Sequence, residues 1–456
     1  MRKATRFWLL GVLLCFFAAG AAAETLTLDG AVELALEQNL SLEASREDYE
    51  SARWGLWSAR ASLLPSVTLT STATRVDPDT YDRANASLEF AEEFGVDVEP
   101  FLYETTYETS FRASVPIWNG GKLWGAAGAA AGARDAARHT YESTRRAVVV
   151  GAKSAYFGLL RAESLLQVQR EAVLAAERNA EAAARRYDVG LSNRAELLRW
   201  EAQLAGDRGA LVEAEAGVTL ARTELLNVLG LSLDSEIELS EVAESLLERE
   251  REAYASAVGD EPLTEERALE LLRDNPDLKA LSASVDISSA GVTVARGAFM
   301  PSVNASGSYG WKADDDIDPD DETAWSVTLA LELPVFTSLR NFSDYQSSRR
   351  AHVASIRRRE DGERGMVAAL RSADATVRSS QLRLEAARVE EAQAAELLKN
   401  MRNMHEQGMV TYTELLDSEV VYGLSRVGRV NALFDCLLAL SEAERLIGSH
   451  EDGDTE

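Results

Sequence analysis

The chain has 456 residues, 47 Lys+Arg against 75 Asp+Glu, a formal net charge of −28 and 46% hydrophobic residues. So acidic a balance excludes a nucleic-acid partner, which needs a basic footprint. It holds two cysteines, and only Cys436 lies outside the leader described next, so no intrachain disulfide is expected in the mature chain.

Residues 1–23 read as a secretory signal peptide. Arg2, Lys3 and Arg6 precede the apolar run Phe7–Gly20, and Ala21-Ala22-Ala23 stand as a small-residue cleavage site before Glu24. Cys15 lies inside the apolar run and follows Leu13-Leu14, where a lipid-attachment site needs a small residue, so no lipid anchor is expected. Without the leader's three cations the charge balance is 44 − 75 = −31. No later run approaches the ~18 consecutive apolar residues of a spanning helix. If the exported chain enters a membrane, it does so as β-structure.

Residues 24–230 form a first structural repeat. A short helix, Leu42–Leu64, follows a break at Asn39, and strands are predicted at about 66–75 and 106–117, separated by the acidic, irregular loop Val76–Thr105. A helix over 121–187 comes next, ~100 Å long at 1.5 Å per residue. It ends at the turn RRYDVGL (Arg185–Leu191) and is followed by a helix over 195–229. Residues 231–261 are a linker. Residues 262–448 repeat the pattern: a short helix Leu278–Met300 after Asn275-Pro276, strands at about 303–312 and 324–335, a long helix, a turn at Gly408 and a helix Glu414–Ile447. Residues 449–456 are an acidic tail.

The prolines fix these divisions. None of the nine falls between 117 and 261 or after 334, and proline costs ~3 kcal/mol inside a helix. A shift of 236 aligns Asn39 with Asn275 and Pro65-Ser66-Val67 with Pro301-Ser302-Val303. From the next proline the shift is 218, aligning Pro116 with Pro334, Gly190 with Gly408 and Glu196-Leu197-Leu198 with Glu414-Leu415-Leu416. The 236 − 218 = 18 extra residues belong to the first-half loop.

Tyr107, Thr109, Phe111, Ala113, Val115 and Ile117 alternate with polar neighbours, as do Val303–Trp311 and Trp325–Leu333. This period of two suits a membrane barrel strand or a half-buried strand of a soluble sandwich. Four strands cannot close a barrel, and an open edge in lipid is not viable, so a membrane reading requires several chains to share one barrel. Leu197, Leu204, Leu211, Val218 and Leu225 recur every seven residues, a seam for a supercoiling partner helix.

This order of elements resembles the TolC family of outer-membrane efflux proteins, together with VPIWNGG (Val115–Gly121), RRYDVGLSNRAELL (Arg185–Leu198), the second turn at Gly408 and the Asn-Pro break. The resemblance covers Thr25–Gly448. It implies an α+β membrane protein: a homotrimer whose 12-stranded β-barrel, four strands per chain, continues into a long α-helical coiled-coil periplasmic tunnel. The linker and tail would sit near an equatorial belt. It further implies a passive outer-membrane duct for small-molecule efflux, in contact with outer-membrane lipid, a periplasmic adaptor protein and an inner-membrane transporter. Type I protein secretion and a non-pore periplasmic coiled-coil scaffold are the alternatives.

The four histidines are scattered and there is no nucleophile motif or phosphate loop, so neither catalytic activity nor a metal or other cofactor is expected. Glu414 and Asp417 share a helix face three residues apart, which suits a solvated first turn. The resemblance implies instead a ring of 2 × 3 = 6 carboxylates at a tunnel constriction. Relatives latch this end with a tyrosine and an arginine, where this chain has His405 and Val410. The partner acid is kept as Glu196, so a gate here would draw on Gly190, Arg194, Glu196, Arg199, His405 and Gly408. Phe336-Thr337-Ser338-Leu339 also departs, standing where the first half has Trp118-Asn119-Gly120-Gly121.

Overall fold

A computed structural model describes residues 24–93, 95, 101–190, 192–259, 262–313 and 323–447. The leader, Gly448, the acidic tail and parts of the first-half loop and the linker lie outside them. The chain divides into two compact units. One takes Met1–Leu40, Ala147–Pro262 and Ala373–Arg445; the other takes Ser41–Arg146, Leu263–Ser372 and Leu446–Glu456. Neither unit follows a sequence half.

In chain order the elements are β1 (Glu24–Leu26), α1 (Leu28–Gln38), α2 (Leu40–Ala61), β2 (Ser66–Arg75), α3 (Pro78–Glu93), β3 (Thr105–Asn119), α4 (Lys122–Asp188), α5 (Arg194–Leu229), β4 (Ile237–Leu239), α6 (Ala243–Val258), α7 (Glu265–Leu271), α8 (Pro276–Gly297), β5 (Ser302–Ala313), β6 (Thr323–Glu332), α9 (Arg340–Glu406) and α10 (Tyr412–Ile447). Equivalent helices are equal in length: α2 and α8 have 22 residues, α4 and α9 have 67, and α5 and α10 have 36.

In the first unit, β1 pairs in parallel with β4. The core holds Tyr156, Phe157, Leu225, Leu226, Leu229, Phe434 and Leu437, all essentially free of solvent. The seam residues Leu197, Leu204, Leu211 and Val218 are half-buried and Leu225 is buried, as a packed stripe requires. Lys153 of α4 binds Glu250 of α6 at 2.9 Å and Glu444 of α10 at 2.6 Å. This charge triad fixes α6, within the stretch read from sequence as a linker, onto the long helices. Cys436 is fully buried, and burial pushes its thiol above the usual range, which makes it a packing residue rather than a reactive one.

In the second unit, a four-stranded antiparallel sheet runs in the order β2-β3-β5-β6. Its register puts Leu69, Phe111, Tyr309 and Trp325 in one cross-strand row, with Val67, Ala113, Gly307 and Val327 in the next. The opposite face carries Thr68, Arg112, Ser308 and Ser326. The apolar face lies in the open: Trp325 is 75% exposed and Val327 77%. Among the described residues the sheet does not close within one chain, and β2 and β6 are its unpaired edges. Pro116 is tolerated in the inner strand β3 because the register shifts by a bulge between Pro116 and Trp118.

The structure corrects the reading of Val76–Thr105 as an irregular loop, since α3 occupies Pro78–Glu93. Pro78 and Asp79 resemble turn residues in sequence. However, proline at the first helical position has no amide to satisfy, and an acid there meets the positive end of the helix. Asn85 then ties α3 to the returning chain, accepting from the Phe101 amide at 2.9 Å and donating to the Leu102 carbonyl at 2.7 Å. The other boundaries differ by a few residues. Thus α2 ends at Ala61, before Pro65, and β6 ends at Glu332, before Pro334, because the residue preceding proline is restricted and proline cannot donate to a ladder.

The repeat extends to single contacts. Asn39 donates its side-chain amide to the Val228 carbonyl at 3.3 Å, and Asn275 donates to the Leu446 carbonyl at 3.0 Å. Each asparagine therefore ties the start of a short helix to the end of the helix that directly follows the long one in the same half. At the strand-to-helix junctions the halves diverge. Gly120 and Gly121 take φ of 69° and 84°, and a Cβ on Gly120 would stand 2.5 Å from the Gly297 carbonyl oxygen. In the second half Ser338 and Leu339 hold the same left-handed region, at 51° and 63°. Only glycine enters that region without steric cost. Ser338→Gly is expected to stabilise the protein by about 0.5–1 kcal/mol, seen as a raised denaturant midpoint with unchanged slope.

Candidate functional site: the paired helix-hairpin turns

Two helical hairpins, α4–α5 and α9–α10, carry the residues singled out from sequence, and all of them fall in the first unit. Each long helix ends on a glycine in the left-handed region, Gly190 at φ 76° and Gly408 at 72°. The Gly190 amide returns to the Tyr187 carbonyl at 3.0 Å, the Gly408 amide to the His405 carbonyl at 2.9 Å. Both turns thus satisfy the helix ends within five residues of chain.

The returning helices start on matched caps. Asn193 accepts from the Glu196 amide at 2.9 Å, and Ser192 donates to the Glu196 carboxylate at 2.8 Å. In the second copy, Glu414 Oε2 accepts from the Thr411 amide at 2.6 Å and its hydroxyl at 2.8 Å, while Thr411 Oγ1 accepts from the Glu414 amide at 3.4 Å. This is a capping box. The Thr411 amide and hydroxyl hold the Glu414 carboxyl below the usual range. Glu414 is therefore an anion at neutral pH, fully exposed, with Asp417 exposed one turn on.

The two hairpins are cross-linked. Arg186 Nη1 donates to His405 Nε2 at 3.2 Å, and His405 Nδ1 donates to the Val410 carbonyl at 3.3 Å. Both contacts are met by the neutral Nδ1–H tautomer. Arg199 Nη1 donates to Thr413 Oγ1 at 2.9 Å. Asn179 and Arg402 both donate to the Glu419 carboxylate, at 2.9 and 3.2 Å. Beneath these lies an apolar cluster of Ala183, Trp200, Leu398, Tyr412 and Leu415. Trp200 and Tyr412 meet edge to face at 4.8 Å, a favoured aromatic geometry. Burial pushes the Tyr412 hydroxyl up to about 12, and among the described residues it has no hydrogen-bond partner.

Of the residues named from sequence, Gly190 and Gly408 form the turns, Glu196 and Glu414 serve caps, and Arg199 and His405 bridge the hairpins. Arg199 reaches a threonine rather than Glu196, and Arg194 is exposed, with no side-chain hydrogen bond or ion pair among the described residues. Sequence reading missed the bridging roles of Arg186, Thr413, Tyr412 and Glu419. The Thr411-x-x-Glu414 spacing was a readable capping signal, whereas the pairing of Trp200 with Tyr412 joins positions that the repeat does not match.

The family model for outer membrane efflux proteins matches residues 31–231 and 269–448. The chain belongs to that family. It is 24% identical to the outer membrane protein TolC of Vibrio cholerae over 426 residues, covering 91% of this chain and 89% of that one. A membrane protein from Pseudomonas aeruginosa superposes with a TM-score of 0.78 at 19% identity, covering 94% of this chain and 98% of that one. The CmeC outer membrane channel of Campylobacter jejuni superposes with a TM-score of 0.76 at 17% identity, covering 92% and 85%. This family of efflux proteins is one of outer-membrane channel proteins rather than enzymes.

Proposed function

We propose that three copies of this outer membrane efflux protein form a passive exit duct for small molecules. The observation that carries this reading is the open sheet, whose exposed apolar face is flanked by two full-length unpaired edges. Unpaired backbone groups are not viable in lipid, and 3 × 4 = 12 strands would close one barrel. The helices continue from that barrel into the periplasm as a tunnel, with β4 and α6 in a belt around it. A periplasmic adaptor and an energised inner-membrane transporter engage the far end. Heat-modifiable trimers in outer-membrane fractions and ion conductance in planar bilayers are expected. A soluble, non-conducting product would overturn the reading.

The paired turns form the narrow end of this duct, and Glu414 and Asp417 of three copies ring it. With Glu414 held anionic by Thr411, the pore selects cations. Glu414→Gln with Asp417→Asn removes the charge while keeping the capping geometry. The substitution is expected to abolish cation preference, measured as the reversal potential across a salt gradient. An unchanged potential would place the constriction elsewhere.

A further inference from the structure

On α9, Asn341, Tyr345, His352, Ser355 and Gly362 lie on the face packed against α8. Asn341 binds the Ala298 carbonyl, Tyr345 stacks edge-on with Phe299, His352 and Ser355 contact Ser288, and Gly362 lies against Leu281. Arg350 stands two residues before His352, Arg357 two after Ser355 and Arg364 two after Gly362. Two residues turn a helix through about 200°, so these arginines form a stripe opposite the α8 face. With Arg371 they recur every seven residues, and all four are exposed. Such a basic row stands out in a chain of net charge −28.

The short helix α2, in the same unit, shows the complementary pattern. It buries Leu42 and Leu56, with Tyr49 half-buried between them. Two residues before each of these stand Leu40, Trp54 and Glu47, all exposed, Trp54 at 70%. Glu43, also exposed, stands one turn before Glu47, while the half-buried Glu50 pairs with Arg53 at 3.1 Å. The outer face of α2 thus offers acids and an aromatic ring. Furthermore, α2 leads directly into β2 and β6 leads directly into α9, and these are the two open edges of the sheet.

We infer that the arginine stripe of α9 seats on the Glu47–Trp54 face of α2 in a second copy of this chain, fixing the register between copies. This rests on the trimeric reading above. α2 ascends to its strand and α9 descends from its own. Counting 1.5 Å per residue from the strand-proximal helix ends puts Trp54 about 10 Å along, Arg350 about 15 Å, Glu47 about 21 Å and Arg357 about 26 Å. Glu47 then falls between the two guanidinium groups, and Trp54 falls within reach of Arg350, where a cation over an aromatic face is favourable.

In a Cys436→Ser background, the pairs Glu47→Cys with Arg350→Cys and Glu47→Cys with Arg357→Cys test the seam. Disulfide-linked dimers and trimers on non-reducing gels are expected, with none from the single variants. Trimers by light scattering in detergent, without cross-links from either pair, would overturn the seam and leave the trimer standing. A monomer by light scattering would overturn both. A charge swap gives a second readout. Arg350→Glu with Arg357→Glu is expected to lose the heat-resistant trimer band, and adding Glu47→Arg to restore it. Loss without restoration would count against a direct pairing.

Discussion

Trp200→Ala is expected to loosen the paired turns by about 3–5 kcal/mol, the usual cost of deleting a buried large aromatic side chain. The indole is 4% exposed and joins α5 to the first residue of α10. The polar bridges above it, Arg199 to Thr413 and Arg186 to His405, are solvent-accessible, and exposed links of this kind contribute little by themselves. The apolar cluster is therefore what holds the hairpins together. The variant should be cleaved faster by protease within Asp188–Arg194 and Glu406–Tyr412, and should show larger or more frequent conductance steps. Tyr412→Phe is the discriminating control. It keeps the ring contact and deletes a hydroxyl that has no partner among the described residues, so it should be neutral or slightly stabilising. If Tyr412→Phe were as damaging as Trp200→Ala, the hydroxyl rather than the ring contact would carry the link.

The second large effect is at Lys153. Burial alone would lower the pKa of this ammonium, but Glu250 and Glu444 facing it outweigh that and raise it. A group raised on folding contributes stability that is complete below its unfolded pKa, near 10.5 for lysine, and that fades as pH climbs through the folded value. The triad should therefore hold across neutral and acid pH as far as lysine is concerned, and weaken only in strong alkali. Lys153→Met leaves the buried Glu250 with only the half-exposed Arg249 at 4.0 Å and is expected to cost about 3–5 kcal/mol. Faster hydrogen exchange in α6 should localise the damage. Lys153→Met with Glu250→Leu should recover most of the loss, because a buried pair is often no more stable than the apolar side chains that replace it. Failure of the double variant to recover would place the loss at Glu444, which the double variant leaves without Lys153.

The long elements were legible because their signals are additive. Proline-free stretches, a seven-residue repeat and two offset copies each favour the same helices, and strict alternation marked β3, β5 and β6, while the Thr-rich β2 gave a weaker signal. The misses have a common origin. Pro78 and Asp79 begin a helix with the residue types that also begin turns. β1 and β4 are three-residue strands joined across more than two hundred positions, where no local pattern exists. At the turns, the sequence identified glycines and acids but not their partners, because Trp200 and Tyr412 or Arg199 and Thr413 come from opposite hairpins. Resemblance directed attention to Glu196 as a latch, whereas Ser192 and Asn193 already engage it.

The unpaired edges of β2 and β6 also constrain how the protein comes into being. The helical parts bury a core of their own within the chain, although Trp54, Leu220 and Leu382 stay exposed. On the proposed reading, the outermost backbone groups of the sheet gain partners from other chains, and its apolar face meets lipid. On the trimeric reading proposed above, closing the barrel and recruiting subunits would be one kinetic event, whose rate rises more steeply than the first power of chain concentration. Until that event, each chain would present two sheet edges as templates for adventitious strand pairing. Its survival in transit depends on being escorted or on being scarce.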